Sequence, residues 1–155
     1  PAYTKAEEIL ASNPDGIMLS NGPGDPKECV EIIEEIKKLY NSNVPIFAIC
    51  LGHQLMALAT GADTHRLKYG HRGANHPVKD LKTGKCYISS QNHGYVVDES
   101  TLDSKVAVPA FENNEGLEYV GKNIFTVQFH PEACAGPQDT AYLFDRFMDM
   151  MKKED

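Results

Sequence analysis

Val44-Pro45-Ile46-Phe47-Ala48-Ile49-Cys50-Leu51-Gly52 is the stretch whose reading decides the fold. Val44 to Ile49 is apolar with no polar alternation, the pattern of a strand covered on both faces. It ends abruptly at Cys50, and the segment from Gly52 to Thr60 reads as a helix that stops at Gly61. A strand that turns into a helix over one reactive residue projects that side chain from the carboxyl edge of a parallel sheet, where open α/β folds hold their ligands. Gly52 lets backbone pass closely beneath such a turn.

Working outward, Gly16 to Ser20 is a second short buried strand, reached through the turn Asn13-Pro-Asp-Gly16. Thr4 and Glu7 form a capping-box pattern that opens a helix to about Ala11. Asn21-Gly-Pro-Gly-Asp-Pro26 is a loop, and Lys27 to Tyr40 a helix with Val30, Ile33, Ile36 and Leu39 inward. Asp63 to Val78, rich in Gly, His and basic residues, reads as irregular. Lys85 to Ser90 reads as a strand and Gln91-Asn-His-Gly94 as a turn. Val96-Val97, Lys105–Val108 and Gly116–Val120 are weaker strands, and Ile124–Phe129 a strong one. Gln138 to Lys153 closes the chain as an amphipathic helix with Leu143, Phe144, Phe147 and Met151 inward. The expected fold is α/β: an open, doubly wound, mostly parallel sheet with helices on both faces, in one domain over residues 1–155.

With 155 residues the chain buries a core without staples, and 41% hydrophobic with 24% charged residues is an ordinary globular balance. A net charge of −7 argues against nucleic acid as partner, since phosphate binding needs a basic face. No apolar run reaches the ~20 residues of a membrane span, and the polar start is no signal peptide, so a cytoplasmic protein is expected. Cys29, Cys50, Cys86 and Cys134 are scattered without a CxxC pair, which favours free thiols over disulfides or zinc. His53, His65, His71, His76 and His93 show no paired ligand spacing beside a carboxylate apart from His71 and His76 in a Gly-rich loop, so no metal or other cofactor is expected.

Three strand ends carry the chemistry. At the first, Cys50 would sit at a helix N-terminus, which stabilises thiolate, and the Leu51 N–H would face developing negative charge as an oxyanion donor. A buried thiol that merely ends a core strand fits the same segment. At the second, Phe129-His-Pro-Glu132 delivers His130 with a carboxylate two residues on. A thiol nucleophile needs a base to move its proton, and that base needs an acceptor on its other nitrogen. At the third, the glycines of Asn21–Pro26 allow close backbone approach, with the Gly22 N–H as a second oxyanion donor. No GxGxxG or Gly-Lys-Ser/Thr phosphate loop is present. Each feature alone is weak, and three in one small domain are strong together.

AICLGHQ (Ala48–Gln54), NGPGDP upstream and QFHPE downstream resemble the class I, triad-type glutamine amidotransferases. LSNGPGDP, FAICLGHQLMALATGA, KYGHRGANHPV, SQNHGY and QFHPEA resemble, more narrowly, the glutaminase subunit branch of carbamoyl phosphate synthetase, over nearly the whole chain. The resemblance implies that Cys50 attacks the glutamine side-chain amide, that His130 is base and then acid, and that Glu132 orients it. It implies an oxyanion hole at Gly22 and Leu51, and Gly24, Gln54, Asn92, Gly94 and Tyr95 holding the amino-acid part of glutamine. It also implies, as partner, a synthetase large subunit that receives ammonia for carbamoyl phosphate. The family often has Phe at Tyr95, and Ser where Cys134 stands.

Against the family pattern the chain starts late, without the first βαβ unit or the domain before it, so it reads as an N-terminally truncated fragment. Exposed central strands would then make it marginally stable or oligomeric, and glutamine binding weaker. The competing readings are an amidotransferase serving another synthetase, a non-catalytic fragment, and a cysteine peptidase of similar architecture. KYGHRGANHPV and SQNHG argue against the first, and Gln54 with the NHG turn against the last.

Overall fold

The structure, a computed structural model, describes residues 5–19, 25–82, 84, 86–111, 115–129 and 142–152, with backbone alone at 67–77, 87–93 and 142. Five strands form the main sheet: β1 (Ile17–Leu19), β2 (Ile46–Ile49), β5 (Ala107–Phe111), β6 (Gly116–Tyr119) and β7 (Ile124–Val127), in the order β1-β2-β7-β6-β5. β1, β2 and β7 run parallel, and β6 and β5 add antiparallel strands at one side. β2 is buried at all four positions, as its unbroken apolar run predicts.

Helices cover both faces. On one side lie α1 (Ala6–Ala11), α2 (Val30–Tyr40) and α3 (Leu51–Ala59), packed through Ile36, Leu39, Leu55 and Met56 against Ile17, Ile46, Leu117 and Ile124. On the other, α4 (Tyr142–Lys152) sets Leu143 and Phe147 against Phe47, Ile49, Phe125, Val127 and Phe129. Phe47 and Phe125 stack at 4.5 Å between ring centroids, so adjacent strands share one aromatic layer under α4. Arg146 of α4 donates to Glu118 of β6 at 2.6 Å and lies 4.2 Å over the Phe125 ring. Burial raises the Glu118 carboxyl, but hydrogen bonds to Lys82 and Arg146 outweigh that and leave it below its ordinary value. The doubly wound α/β expectation is therefore met, with a parallel half that ends at Cys50. Among the described residues no helix is long and apolar enough to cross a membrane.

Three local expectations are corrected. The N-cap of α1 is Lys5, one residue after the expected Thr4, and it makes no side-chain cap; Thr4 itself lies outside the described residues. The Ala6 N–H is met instead by Glu35 Oε1 of α2 at 2.8 Å, a tertiary cap. The helix expected from Lys27 opens as a 3-10 turn at Pro26–Glu28, and α2 begins at Val30. Val30 is 62% exposed because a strict three-residue step drifts off a 3.6-residue period.

The largest correction lies in the middle. The stretch read as irregular is β3 (Asp63–Lys79), and the strand and turn after it are one strand, β4 (Cys86–Asp98). They pair antiparallel from Asp63↔Asp98 to Lys79↔Cys86, with register shifts between Arg66 and His71 and between Gly73 and His76. Backbone pairing supports this ribbon, so it lacks the apolar alternation that marks a half-buried strand. Gln91 to Gly94 thus lie within a strand.

Candidate active site

Cys50 follows β2 and caps α3. Its backbone N–H donates to Val127 O at 2.8 Å, extending the β2–β7 ladder by one bond, and its carbonyl accepts from Gln54 N at 3.1 Å, the first bond of the helix. One residue belongs to both elements, and the chain manages this only at φ 53°, ψ −105°. That conformation is costly for a residue with a Cβ and is found where surrounding structure enforces it, often at functional sites. Gly52 makes the turn possible. A Cβ there would stand 2.5 Å from Leu19 O and 2.8 Å from Leu19 Cβ, so α3 starts directly against the end of β1.

Leu51 opens α3, so its N–H belongs to the first turn, where donors have no intrahelical acceptor. It is half-buried beside the buried Cys50, the placement expected of an oxyanion donor. Gln54, one turn further on, is 3% exposed. Its Nε2 donates to the Tyr95 backbone carbonyl at 2.7 Å and to Gln128 Oε1 at 3.0 Å. Both amide hydrogens are thereby used, and Gln54 meets Tyr95 through main chain, a contact that Phe at that position would keep. Gly94 is half-buried, and a Cβ on it would meet nothing within 4 Å. Asn92 pairs with Arg72 in the β3–β4 ladder through its backbone. Gly22, Gly24, His130 and Glu132 lie outside the described residues.

The sequence reading passed over three residues in and beside β7 and β6: Thr126 on β7, Gln128 just after it and Glu115 just before β6. Gln128 donates from Nε2 to Cys50 Sγ at 3.6 Å. Thr126 Oγ1 lies 2.7 Å from Nδ1 of His53, which is fully buried on α3. Glu115, just before β6, accepts from Gln128 N through its carbonyl at 2.8 Å, and its side chain is 7% exposed. Burial pushes that carboxyl up to about 7. A signal existed in the sequence: Thr126 and Gln128 interrupt Ile124–Phe129 two residues apart, which places both on the α3 face of a strand. Among the described residues no group of three His, Cys, Asp or Glu side chains is placed to hold a metal ion, and His53 instead faces Thr126.

Comparison with known proteins adds lineage to this geometry. The family model for glutamine amidotransferase class-I matches residues 1–150. Carbamoyl phosphate synthase small chains are similar: that of Listeria innocua is 56% identical, over 97% of this chain and 43% of its own length. That of Neisseria meningitidis is 53% identical, over 98% of this chain and 41% of its own. The chain thus spans about two-fifths of the curated relatives it matches. A putative GMP synthase component from Thermoplasma acidophilum shares the fold, with TM-score 0.82 and 22% identity, over 99% of this chain and 79% of that one.

Proposed function

From its membership of the class I glutamine amidotransferase family, we propose that this chain hydrolyses the side-chain amide of glutamine and supplies the ammonia to a carbamoyl phosphate synthetase large subunit. The observation that carries the reading is the backbone of Cys50, held at φ 53° between β2 and α3 with the Leu51 N–H beside it. The branch assignment rests on relatives named carbamoyl phosphate synthase small chain at 53–56% identity.

In this mechanism the Cys50 sulfur attacks the amide carbon, and the carbonyl oxygen gathers negative charge toward the N–H groups of Leu51 and Gly22. His130, oriented by Glu132, takes the thiol proton and returns it to the departing nitrogen, so the C–N bond breaks and ammonia leaves. Water, deprotonated by His130, then attacks the thioester carbon. The C–S bond breaks, its electron pair returns to sulfur, and glutamate is released. Gln54 has spent both amide hydrogens on Tyr95 and Gln128, which leaves Oε1 as an acceptor for the α-ammonium of glutamine. Gly24, Asn92, Gly94 and the Tyr95 main chain complete that pocket. No metal or cofactor enters any step. A thiol nucleophile works reduced, which fits the cytoplasm.

A diazo-ketone analogue of glutamine tests the site. Peptide mass spectrometry is expected to find the label on Cys50 alone, and glutamine to protect against it. Labelling spread over Cys29, Cys50, Cys86 and Cys134 alike, or none, refutes a competent glutamine pocket. Co-elution with a carbamoyl phosphate synthetase large subunit tests the partner.

A further inference from the structure

We infer that Gln128 is a positioning residue for the nucleophile, a side-chain amide held in one orientation so that it donates to the Cys50 sulfur; the inference rests on the glutaminase reading above. It follows from the direction of three consecutive hydrogen bonds. The Tyr95 backbone carbonyl can only accept, so the Gln54 atom 2.7 Å from it must be the amide nitrogen. That nitrogen also lies 3.0 Å from the Gln128 side chain, so the Gln128 atom facing it must be oxygen. Nε2 of Gln128 is thereby turned to Cys50 Sγ, at 3.6 Å. The flipped amide would set nitrogen against nitrogen at one end and oxygen against sulfur at the other. Amide orientation is ordinarily an assignment, but here a carbonyl at the end of the chain of bonds determines it.

The relay crosses four segments: β4 at Tyr95, α3 at Gln54, the residue after β7 at Gln128 and the turn after β2 at Cys50. Gln54 and Gln128 are 3% and 1% exposed, so water competes little for these bonds. The Gln128 main chain is fixed as well, through its N–H to Glu115 O at 2.8 Å. Sulfur is a weak acceptor as thiol and a strong one as thiolate, so the Gln128 bond strengthens whenever charge rests on sulfur. In the proposed reaction that occurs twice: before attack on the amide, and again when the thioester C–S bond breaks and sulfur leaves with the electron pair. The same bond restrains the Cys50 side chain on a backbone already confined to φ 53°.

The test uses Gln128→Met, close in shape but without a donor, and Gln54→Met, which leaves Gln128 in place but frees its amide to flip. Each is read by the rate at which neutral iodoacetamide alkylates Cys50, followed on the Cys50 peptide, with circular dichroism as the check on folding. Loss of a charge-assisted donor is expected to slow alkylation about 10- to 100-fold in Gln128→Met. A smaller decrease, about threefold, is expected in Gln54→Met, where both orientations become open. For glutamine hydrolysis, Gln128→Met is expected to lose kcat by a similar factor while KM stays within about threefold. The sign separates this role from a structural one, because a loosened site would expose the buried thiol and speed alkylation. Parent-like alkylation and kcat in folded Gln128→Met overturn the inference, and so does faster alkylation. Should Gln128→Met not fold, the Gln54→Met rate decides alone. If the parent chain neither takes the diazo-ketone at Cys50 nor releases ammonia, the glutaminase reading fails, and the iodoacetamide rates still judge the Gln128 bond.

Discussion

Glu115→Gln offers a direct measure of how the polar layer beside Cys50 is held. Glu115 is 7% exposed, its Oε2 has no hydrogen-bond partner among the described residues, and burial pushes its carboxyl from 4.5 to about 7. Between those pH values the folded chain keeps a proton that the unfolded chain has released. Stability therefore falls as pH rises through the window, and the full loss is present above pH ~7. At about 1.4 kcal/mol per tenfold change in proton affinity, the gap amounts to about 3 kcal/mol. Gln is neutral throughout, so the variant lacks this decline. Urea unfolding of parent and variant at pH 5, 6, 7 and 8, followed by circular dichroism, isolates the difference. The variant's stability relative to the parent is expected to rise by about 2–3 kcal/mol from pH 5 to pH 8. A difference constant to within about 0.5 kcal/mol across that range would refute a protonated, buried Glu115.

Other perturbations probe the turn and the pocket. Cys50→Gly and Cys50→Ala are both expected to abolish the proposed glutamine hydrolysis, but Gly suits φ 53°, so it is expected to exceed Ala in stability by about 1–3 kcal/mol in chemical unfolding. Gly52→Ala drives a methyl against Leu19 O, which is expected to cost about 1–3 kcal/mol and to displace the Leu51 N–H, so kcat falls together with Tm. Gly94→Ala meets open space; Tm is expected within about 2 °C of the parent while KM for glutamine rises, and an unchanged KM would remove Gly94 from the substrate pocket.

Local sequence decided the elements that bear the site. An apolar run from Val44 to Ile49 forms a strand in any parallel sheet, and Cys50 followed by Leu51-Gly52 forces a sharp entry into α3, because only glycine clears Leu19. The amphipathic spacing of α2 and α4 was legible for the same reason, as each helix shows its sheet one apolar stripe. The β3–β4 ribbon was not legible: its stability comes from pairing residues up to 35 positions apart, Asp63 with Asp98, and backbone bonds leave no trace in side-chain periodicity. The cap on Ala6 came from Glu35 of another helix, which no local pattern announces. The polar pair Thr126 and Gln128 could be seen in the strand, but not the direction of its hydrogen bonds. That direction is set where Tyr95, Gln54 and Cys50 converge, and Cys50 and Gln128 lie 78 residues apart in the chain. Sequence alone determined that a cysteine stands where a strand ends and a helix begins. Which side-chain atom faces its sulfur was decided only by packing, because an amide is symmetrical in shape and acquires its orientation from the partners the fold brings to it.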